Sequence, residues 1–382
     1  MKSLLVRKTK LVHRLPVPEV PRDICNSYTQ YLKTITYDVT QPFLTGVNVH
    51  YAQGKLFFYI TLSSKHMQNC TAEQHTNYTL TYNNVTLQNE LWRKALLIGC
   101  NQLNYVATPP KPFVEGEKVV FTLTNLIQHR VYSNVTACVH IPPPKRFPVI
   151  SCSYICDYNT VDELKSFVAF QRLSNISMVV FYLVTPIPFL HEALAKSISE
   201  GYVRVVDFSW PRANTRIRPV QNNQQAQYNT CFYQFKYDAD AIILCDVDEY
   251  IYSELFTGNM PHVVQYLRRT RPERNVFTMV SNMHTNARRD MSERKQHLHN
   301  GTILDAYRYR LEAAVSGRKK MIVMNEFSGM LAIHWCFYCK WIVMPTRIAR
   351  VAHFKIKVLN GTFEYTDYLP THFPSLPLAI AS

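Results

Sequence analysis

Hydrophobic and polar positions along the chain change texture once, and the change falls at a run of prolines. From about Phe43 to His140, short runs rich in β-branched and aromatic residues are separated by polar turns: "KLFFYITL", "NYTLTYNNVTL", "KALLIGC", "EKVVFTLTNL" and "RVYSNVTACVHI". Tyr78, Leu80 and Tyr82 alternate with Thr79 and Thr81, the period of a strand with one buried face. Several such strands at this spacing predict a small antiparallel β-sandwich. The segment "IPPPKRFP" follows, and Pro142 to Pro144 make it a stiff linker.

Beyond the linker, apolar runs and amphipathic stretches take turns. "FPVISCSYIC" reads as a buried strand. "NTVDELKSFVAFQRLS" reads as a helix opened by a Thr160-x-x-Glu163 capping box, with Leu164, Phe167, Val168 and Leu173 along one side. "MVVFYLV" is a second strand, followed by a helix from about Ile187 to Glu200 with Gly201 just past its end. "YVRVVDF" is a third strand. "QNNQQAQYNTCFYQFKY" is then a helix, with Tyr228, Cys231, Phe232 and Phe235 at helical spacing, and "AIILCDV" is a fourth strand. Four strands too apolar to be half-exposed, alternating with three helices, predict a mostly parallel, Rossmann-like α/β sheet covered on both faces. After Tyr252 come a helix near His262 to Arg269 and strands at "NVFTMVS", "MIVM" and "MLAIHW". The chain therefore divides into residues 1–42, a proline-marked stalk or linker, 43–145, a β-rich accessory domain, and 146–382, an α/β domain. A length of 382 residues suits two domains.

Charge narrows the partners. The net charge is +15, and between Gln265 and Lys320 thirteen Lys and Arg face five Asp and Glu. Such an excess suits a nucleic acid, a membrane surface, a phosphate-bearing ligand or an acidic glycan, and equally a solvated basic face. No zinc-finger spacing, RNP-like segment or heptad-linked basic region accompanies it, which argues against nucleic acid. Seven Asn-x-Ser/Thr sequons, at Asn69, Asn77, Asn84, Asn134, Asn175, Asn300 and Asn360, point to a secretory, glycosylating compartment. Ten cysteines, an even number that permits full pairing, agree with it. Cys152/Cys156 and Cys336/Cys339 also have the spacing of metal ligands, but neither has a second close pair. "MKSLLVRKTKLVHRLP" is too basic for an entry signal. The apolar window "ISMVVFYLVTPIPFL" is interrupted by Pro186 and Pro188, short of the roughly 20 residues of a spanning helix. Either a membrane anchor lies beyond this chain or the secretory reading fails.

The candidate chemistry lies in "DADAIILCDVDEYIY", Asp238 to Tyr252. Asp246 and Asp248 close a central strand, where open α/β sheets place their ligands. Positions i and i+2 of a strand send both carboxylates the same way. Like charges so placed repel; a divalent cation removes the conflict, and oxygen ligands select Mg²⁺ or Mn²⁺. Such a site completes its shell with water and substrate phosphates, which implies a phosphate-bearing substrate. The alternative is a solvated turn without metal. Asp238 and Asp240 share the spacing but precede the strand, and read as helix-end surface residues.

"YNTCFYQFKYDADAIILCDVDEYIY" resembles the signature of glycosyltransferase family 92, in which an Asn-x-Cys-containing helix leads into a strand ending Asp-x-Asp-Glu-aromatic. "ISCSYICDYNTVDELKSFVAF", "VVFYLV", "VVDFSWP" and "GRKKMIVMNEFSGMLAIHW" follow in the family's order, the last similar to its Lys-rich stretch ending Ile-His. A closing "THF" takes the place of its terminal His-aromatic pair. The resemblance spans about Pro148 to Phe373. It implies a GT-A fold and a Mn²⁺-dependent inverting transfer of a sugar, galactose from UDP-galactose in characterised members, to a glycan acceptor in the Golgi lumen. Asp246 and Asp248 would hold the ion with His334 as third ligand, a nitrogen that favours Mn²⁺ over Mg²⁺. Taken alone, His334 on an apolar strand reads as a structural histidine. Glu249 becomes an acid that orients the loop or a ligand, or else a surface carboxylate. Asp157 would meet uracil or ribose, or flank a helix. Arg318, Lys319 and Lys320 would neutralise the leaving diphosphate, or form a solvated loop. Asp290 and Glu293 are candidates for the general base, although "VSNMHTNARRD" departs from the Gly/Ser-rich stretch family members often carry there. A different donor sugar on the same fold and a family member that binds glycan without catalysis are the competing readings. The accessory domain would bind carbohydrate or position the catalytic domain.

Overall fold

The computed structural model describes residues 43–63, 78–89, 102–126, 129–156, 159–208, 220–285, 309–311, 315–354 and 363–365. The expected stalk, the "KALLIGC" strand and the closing "THF" lie outside them.

The amino-terminal part is all β: β1 (Phe43–Ala52), β2 (Lys55–Ser63), β3 (Tyr78–Tyr82), β4 (Val85–Gln88), β5 (Gln102–Ala107), β6 (Lys118–Asn125) and β7 (Arg130–His140). Alternation shapes these strands: in β6, Val119, Phe121 and Leu123 are buried while Lys118 and Val120 are exposed. The strands form one sheet in the order β4-β3-β6-β7-β1-β2-β5. Its two halves are antiparallel and meet in a parallel contact of only two residue pairs, Val49 with Val139 and His50 with His140. The Asn104 amide donates to Asn89 Oδ1 at 2.9 Å, bringing β5 back beside the end of β4. The result is a nearly closed sheet around one core that includes Phe58, Ile60, Leu80, Leu103 and Phe121, where two separate facing sheets were expected.

The carboxy-terminal part is mixed α/β. Its elements are β8 (Phe147–Ile155), α1 (Val161–Leu173), β9 (Met178–Leu183), α2 (Leu190–Ala193), α3 (Ala195–Ser199), β10 (Val203–Asp207), α4 (Val220–Phe235), β11 (Ala239–Leu244), β12 (Glu249–Tyr252) and α5 (Met260–Thr270). Then follow β13 (Val276–Thr285), β14 (Tyr309–Leu311), β15 (Val315–Met324), β16 (Met330–Leu331), β17 (Cys336–Phe337), β18 (Trp341–Val343), β19 (Arg350–Phe354) and β20 (Phe363–Tyr365). The main sheet runs β10-β9-β8-β11-β15-β13-β14-β20. It is parallel over its first four strands and antiparallel from β15 onward. β12 pairs with β19, and β19 with β13, which curls the sheet beyond the carboxyl end of β11.

Local sequence accounts for most of these elements. Val149 to Ile155 of β8 are buried without alternation, as a strand covered on both faces must be. α1 begins at the capping box, with Thr160 accepting from the Glu163 amide and Glu163 reaching back. The single helix expected over 187–200 is instead α2 and α3. Pro186 and Pro188 remove backbone donors before it, Phe189 turns left-handed at φ 60°, and Leu194 leaves helical geometry at φ −110°.

α4 lies between the two parts. Its Cys231 is disulfide-bonded to Cys152 of β8. On its other face, His50 Nε2 donates to the Tyr233 carbonyl at 2.7 Å, one of the four last carbonyls a helix leaves without an internal partner. Asn48 donates to the Thr230 carbonyl at 3.3 Å, and the Tyr59 ring stacks on Tyr233 with centroids 4.4 Å apart. His140 at the end of β7 lies 2.6 Å from Asp238. Asp238 is thus an interdomain partner, and Asp240 belongs to β11 and pairs with Arg268 at 3.1 Å. Asp238 does lie in the turn that closes α4, as expected, whereas Asp240 is on the strand and not at the helix end.

Cys336 and Cys339 form a second disulfide, so the two near pairs are not metal ligands. Among the described residues Cys245 is a buried thiol, which burial above all pushes up to about 12. The disulfides fit an oxidising compartment. Among the described residues no helix is long and apolar enough to cross a membrane.

Candidate active site

β11 delivers the acids by burying Ile242, Ile243 and Leu244 and then stopping. Asp246 and Asp248 therefore fall in the turn between β11 and β12, not on the strand, and strand alternation does not hold them on one face. The turn is closed reciprocally. The Glu249 amide donates to the Asp246 carbonyl at 3.1 Å, and the Asp246 amide donates to Glu249 Oε2 at 2.9 Å.

Asp246 faces a buried polar group. Gln224 of α4 donates to its Oδ1, and Lys320 of β15 donates to its Oδ2 at 2.9 Å. Lys320, 1% exposed, also sits 3.0 Å from Glu249 Oε2 and donates to the Tyr228 hydroxyl at 3.2 Å. Burial alone would lower the Lys320 pKa, but Asp246 and Glu249 override it and hold it well above the usual lysine range. The ammonium is committed to two carboxylates. Lys319, by contrast, is half-buried, with Nζ 5.4 Å over the Trp341 ring.

Asp248 faces the other way. Its Oδ2 lies 3.4 Å from His353 Nε2, and its carbonyl accepts from the Phe354 amide at 2.9 Å. The antiparallel register of β12 and β19 sets Glu249 opposite His353, with His353 Nδ1 3.4 Å from Glu249 Oε1. One ligand atom from each of Asp248, Glu249 and His353 lies within 4.8 Å of the others. His353 is buried, and neither ring nitrogen has a hydrogen-bond partner among the described residues. An imidazole so placed between two carboxylates fits a divalent cation: two oxygens and one nitrogen suit Mn²⁺. Glu249 retains Oε1 for it, since Oε2 is engaged with Lys320 and the Asp246 amide.

His334 lies in the turn after β16, half-buried, with Nδ1 2.9 Å from the Lys319 carbonyl. Nδ1–H is therefore the donor, which leaves Nε2 as the ring's acceptor. Burial, followed by the Lys320 charge, keeps its pKa below the ordinary value. Asp157, Asp290 and Glu293 lie outside the described residues, as does the Arg318 side chain.

His353 was missed from sequence because "RVAHF" is a lone histidine on an apolar strand. The signal was present: His353-Phe354 is a second His-aromatic pair, upstream of "THF". Gln224 and Tyr228 were hidden by the opposite effect, a helix whose pattern spoke only of packing.

A family model for glycosyltransferase family 92 matches residues 147–371. His353 and Phe354 lie inside this span, and His372 lies just past its end. No curated protein matches the chain. Among solved structures, one described as "Crystal Structure of a Mycobacterial Protein" is similar at 9% identity and a TM-score of 0.24. It covers 56% of this chain and 64% of its own, less than two thirds of its length; a likeness that small carries no argument.

Proposed function

The chain belongs to glycosyltransferase family 92, and from that premise we propose that it transfers a sugar from a nucleotide diphosphate donor, UDP-galactose first among the candidates, to a glycan acceptor. The observation that carries this reading is the buried His353 imidazole, without a hydrogen bond, between Asp248 and Glu249. Mn²⁺, or Mg²⁺ less well, bound there would neutralise the donor diphosphate and stabilise it as a leaving group. Asp248 offers the partly exposed carboxylate, His353 a ring nitrogen, and Glu249 its remaining oxygen. This set replaces Asp246 and His334 of the original trio as direct ligands. Lys320 and Gln224 hold Asp246 in the wall of the site, and Lys319 faces the departing diphosphate. Asp290 or Glu293 takes the proton of the acceptor hydroxyl as its oxygen attacks the anomeric carbon and the sugar–phosphate bond breaks, inverting that centre. The GT-A fold and the Golgi lumen follow from the same family reading.

A panel of UDP-sugars, each with and without Mn²⁺ and read by UDP release, tests it. Mn²⁺-dependent release, greatest with UDP-galactose, is expected. Release from a different donor keeps the enzyme and changes the sugar. No release from any donor, by protein that still melts cooperatively, overturns the enzyme reading in favour of a glycan-binding family member.

A further inference from the structure

Two of the four tryptophans, Trp335 and Trp341, fall within seven residues, and both are exposed, at 53% and 49%. Surface indoles in so short a span are a costly arrangement for packing alone, and exposed apolar patches of this kind mark ligand surfaces.

Trp335 sits in a braced hairpin, and Trp341 opens β18, which pairs with β13. β16 and β17 pair Met330 with Phe337 and Leu331 with Cys336. The Ala332 amide donates to the Trp335 carbonyl at 2.9 Å, and the Cys336–Cys339 disulfide closes the far side. The hairpin's base is fixed to α4. Asn229 donates to the Leu331 carbonyl at 2.7 Å and accepts from its amide at 2.9 Å. Tyr233 donates to the Gly329 carbonyl at 2.5 Å, and Lys236 to the Phe327 carbonyl at 2.8 Å. A Cβ at Gly329 would come within 2.1 Å of the Phe337 carbonyl, so only glycine admits this fold of the backbone.

The segment also adjoins the candidate active site. Trp335 follows His334, whose Nδ1 bonds the Lys319 carbonyl. Lys319 spans to the Trp341 ring, and the next residue, Lys320, holds Asp246.

We propose that Trp335 and Trp341 are the acceptor platform, stacking their indoles against the apolar C–H face of a pyranose in the glycan that receives the sugar. The inference rests on the transferase reading above, because a family 92 enzyme must seat an acceptor. Aromatic rings suit a neutral sugar ring, whose two faces present C–H bonds; with Trp335 braced by the disulfide and α4 and Trp341 held in the sheet beside β13, the platform loses little freedom on binding. Indoles beside a lysine also suit an anionic membrane surface, and the test separates the two.

Trp335→Ala and Trp341→Ala are assayed in the full chain with UDP-galactose and Mn²⁺, against free N-glycans ending in mannose, N-acetylglucosamine, fucose or galactose. The expected result is at least a tenfold fall in the ratio of acceptor transfer to acceptor-free donor hydrolysis, from a raised acceptor KM, with Trp335→Phe restoring most of it. A ratio within twofold of the unaltered protein in both alanine variants overturns the proposal. So does a loss confined to binding of phosphatidylserine-containing vesicles. Absence of hydrolysis and transfer in the unaltered protein defeats the transferase reading instead. In that case binding to an immobilised glycan array decides: signal lost on Trp335→Ala supports the platform, and signal unchanged overturns it.

Discussion

Lys320 places its ammonium 2.9 Å from Asp246 Oδ2, reaching from β15 to the turn that follows its antiparallel neighbour β11. Lys320 also pairs with Glu249, and both of those side chains are 1% exposed, so the ammonium is the counter-charge that lets a buried glutamate stay in the turn. Lys320→Met is expected to destabilise the protein by about 3–5 kcal/mol, the usual cost of stranding one member of a buried pair. Thermal unfolding checks this. A melting temperature within two degrees of the original would mean that the pair contributes little. Lys320→Arg should not fully rescue, because a planar guanidinium does not replace a point charge in so closed a space.

His353 and His334 make opposite predictions about the cation. His353→Gln and Asp248→Asn should each weaken Mn²⁺ binding to donor-free protein at least tenfold, read from the electron paramagnetic resonance signal of free Mn²⁺, while the circular dichroism spectrum is preserved. His334→Gln should leave that affinity within threefold. The reverse pattern would return the third ligand to His334.

His140 couples the two domains through pH. Burial by itself lowers its pKa, but hydrogen bonds to Asp238 at 2.6 Å and Glu115 at 3.0 Å prevail, lifting it from the ordinary 6.5 to about 9. The folded protein therefore holds this proton more tightly than the unfolded chain. The stability it brings is complete below pH 6.5 and is lost progressively as pH rises to about 9. Melting temperature measured across that interval should fall, and His140→Gln should flatten the slope. An unchanged slope in the variant would assign the fall to other groups.

Gly46 gives a steric test of the same interface. A Cβ there would stand 2.5 Å from Thr230 Oγ1 and 2.9 Å from its Cγ2, and a β-branched side chain on a helix has little room to rotate away. Gly46→Ala should cost about 1–3 kcal/mol, as overpacking does. The double variant Gly46→Ala, Thr230→Ser should recover part of it, as seen in denaturant unfolding.

Among the described residues, the sequons Asn84, Asn134 and Asn175 are all exposed and all left-handed, at φ 61°, 56° and 56°. Each sits on a turn or bulge that asparagine tolerates. Expression in a secretory host followed by peptide-N-glycosidase in ¹⁸O water should label all three. An unlabelled site in secreted protein would show that the compartment or the local access has been misjudged.

The legible parts of this molecule were those fixed by neighbours in sequence. The capping box at Thr160, the two-faced burial of β8 and the helical spacing of α4 are local properties, and each appears where the pattern places it. What escaped depends on distant partners. Whether His353 is core or ligand turns on β19 lying beside β12, some hundred residues earlier in the chain. Lys320 looked like one of three free cations until β15 carried it under the acids. The acidic pair does not keep its strand geometry, because β11 ends at Leu244 and the turn sends the two carboxylates to different neighbours.

α4 gives one of its faces to each half of the molecule: Gln224 and Tyr228 toward the acids, Thr230 and Tyr233 toward the β domain. A fragment begun at Phe147 would leave the Tyr233 ring and carbonyl open to water, and would remove the Tyr59 ring that lies 5.4 Å from the Lys236 ammonium. The prolines at 142–144 mark where the fold changes, and a chain cut at that point would keep its α/β sheet with the spine, α4, uncovered.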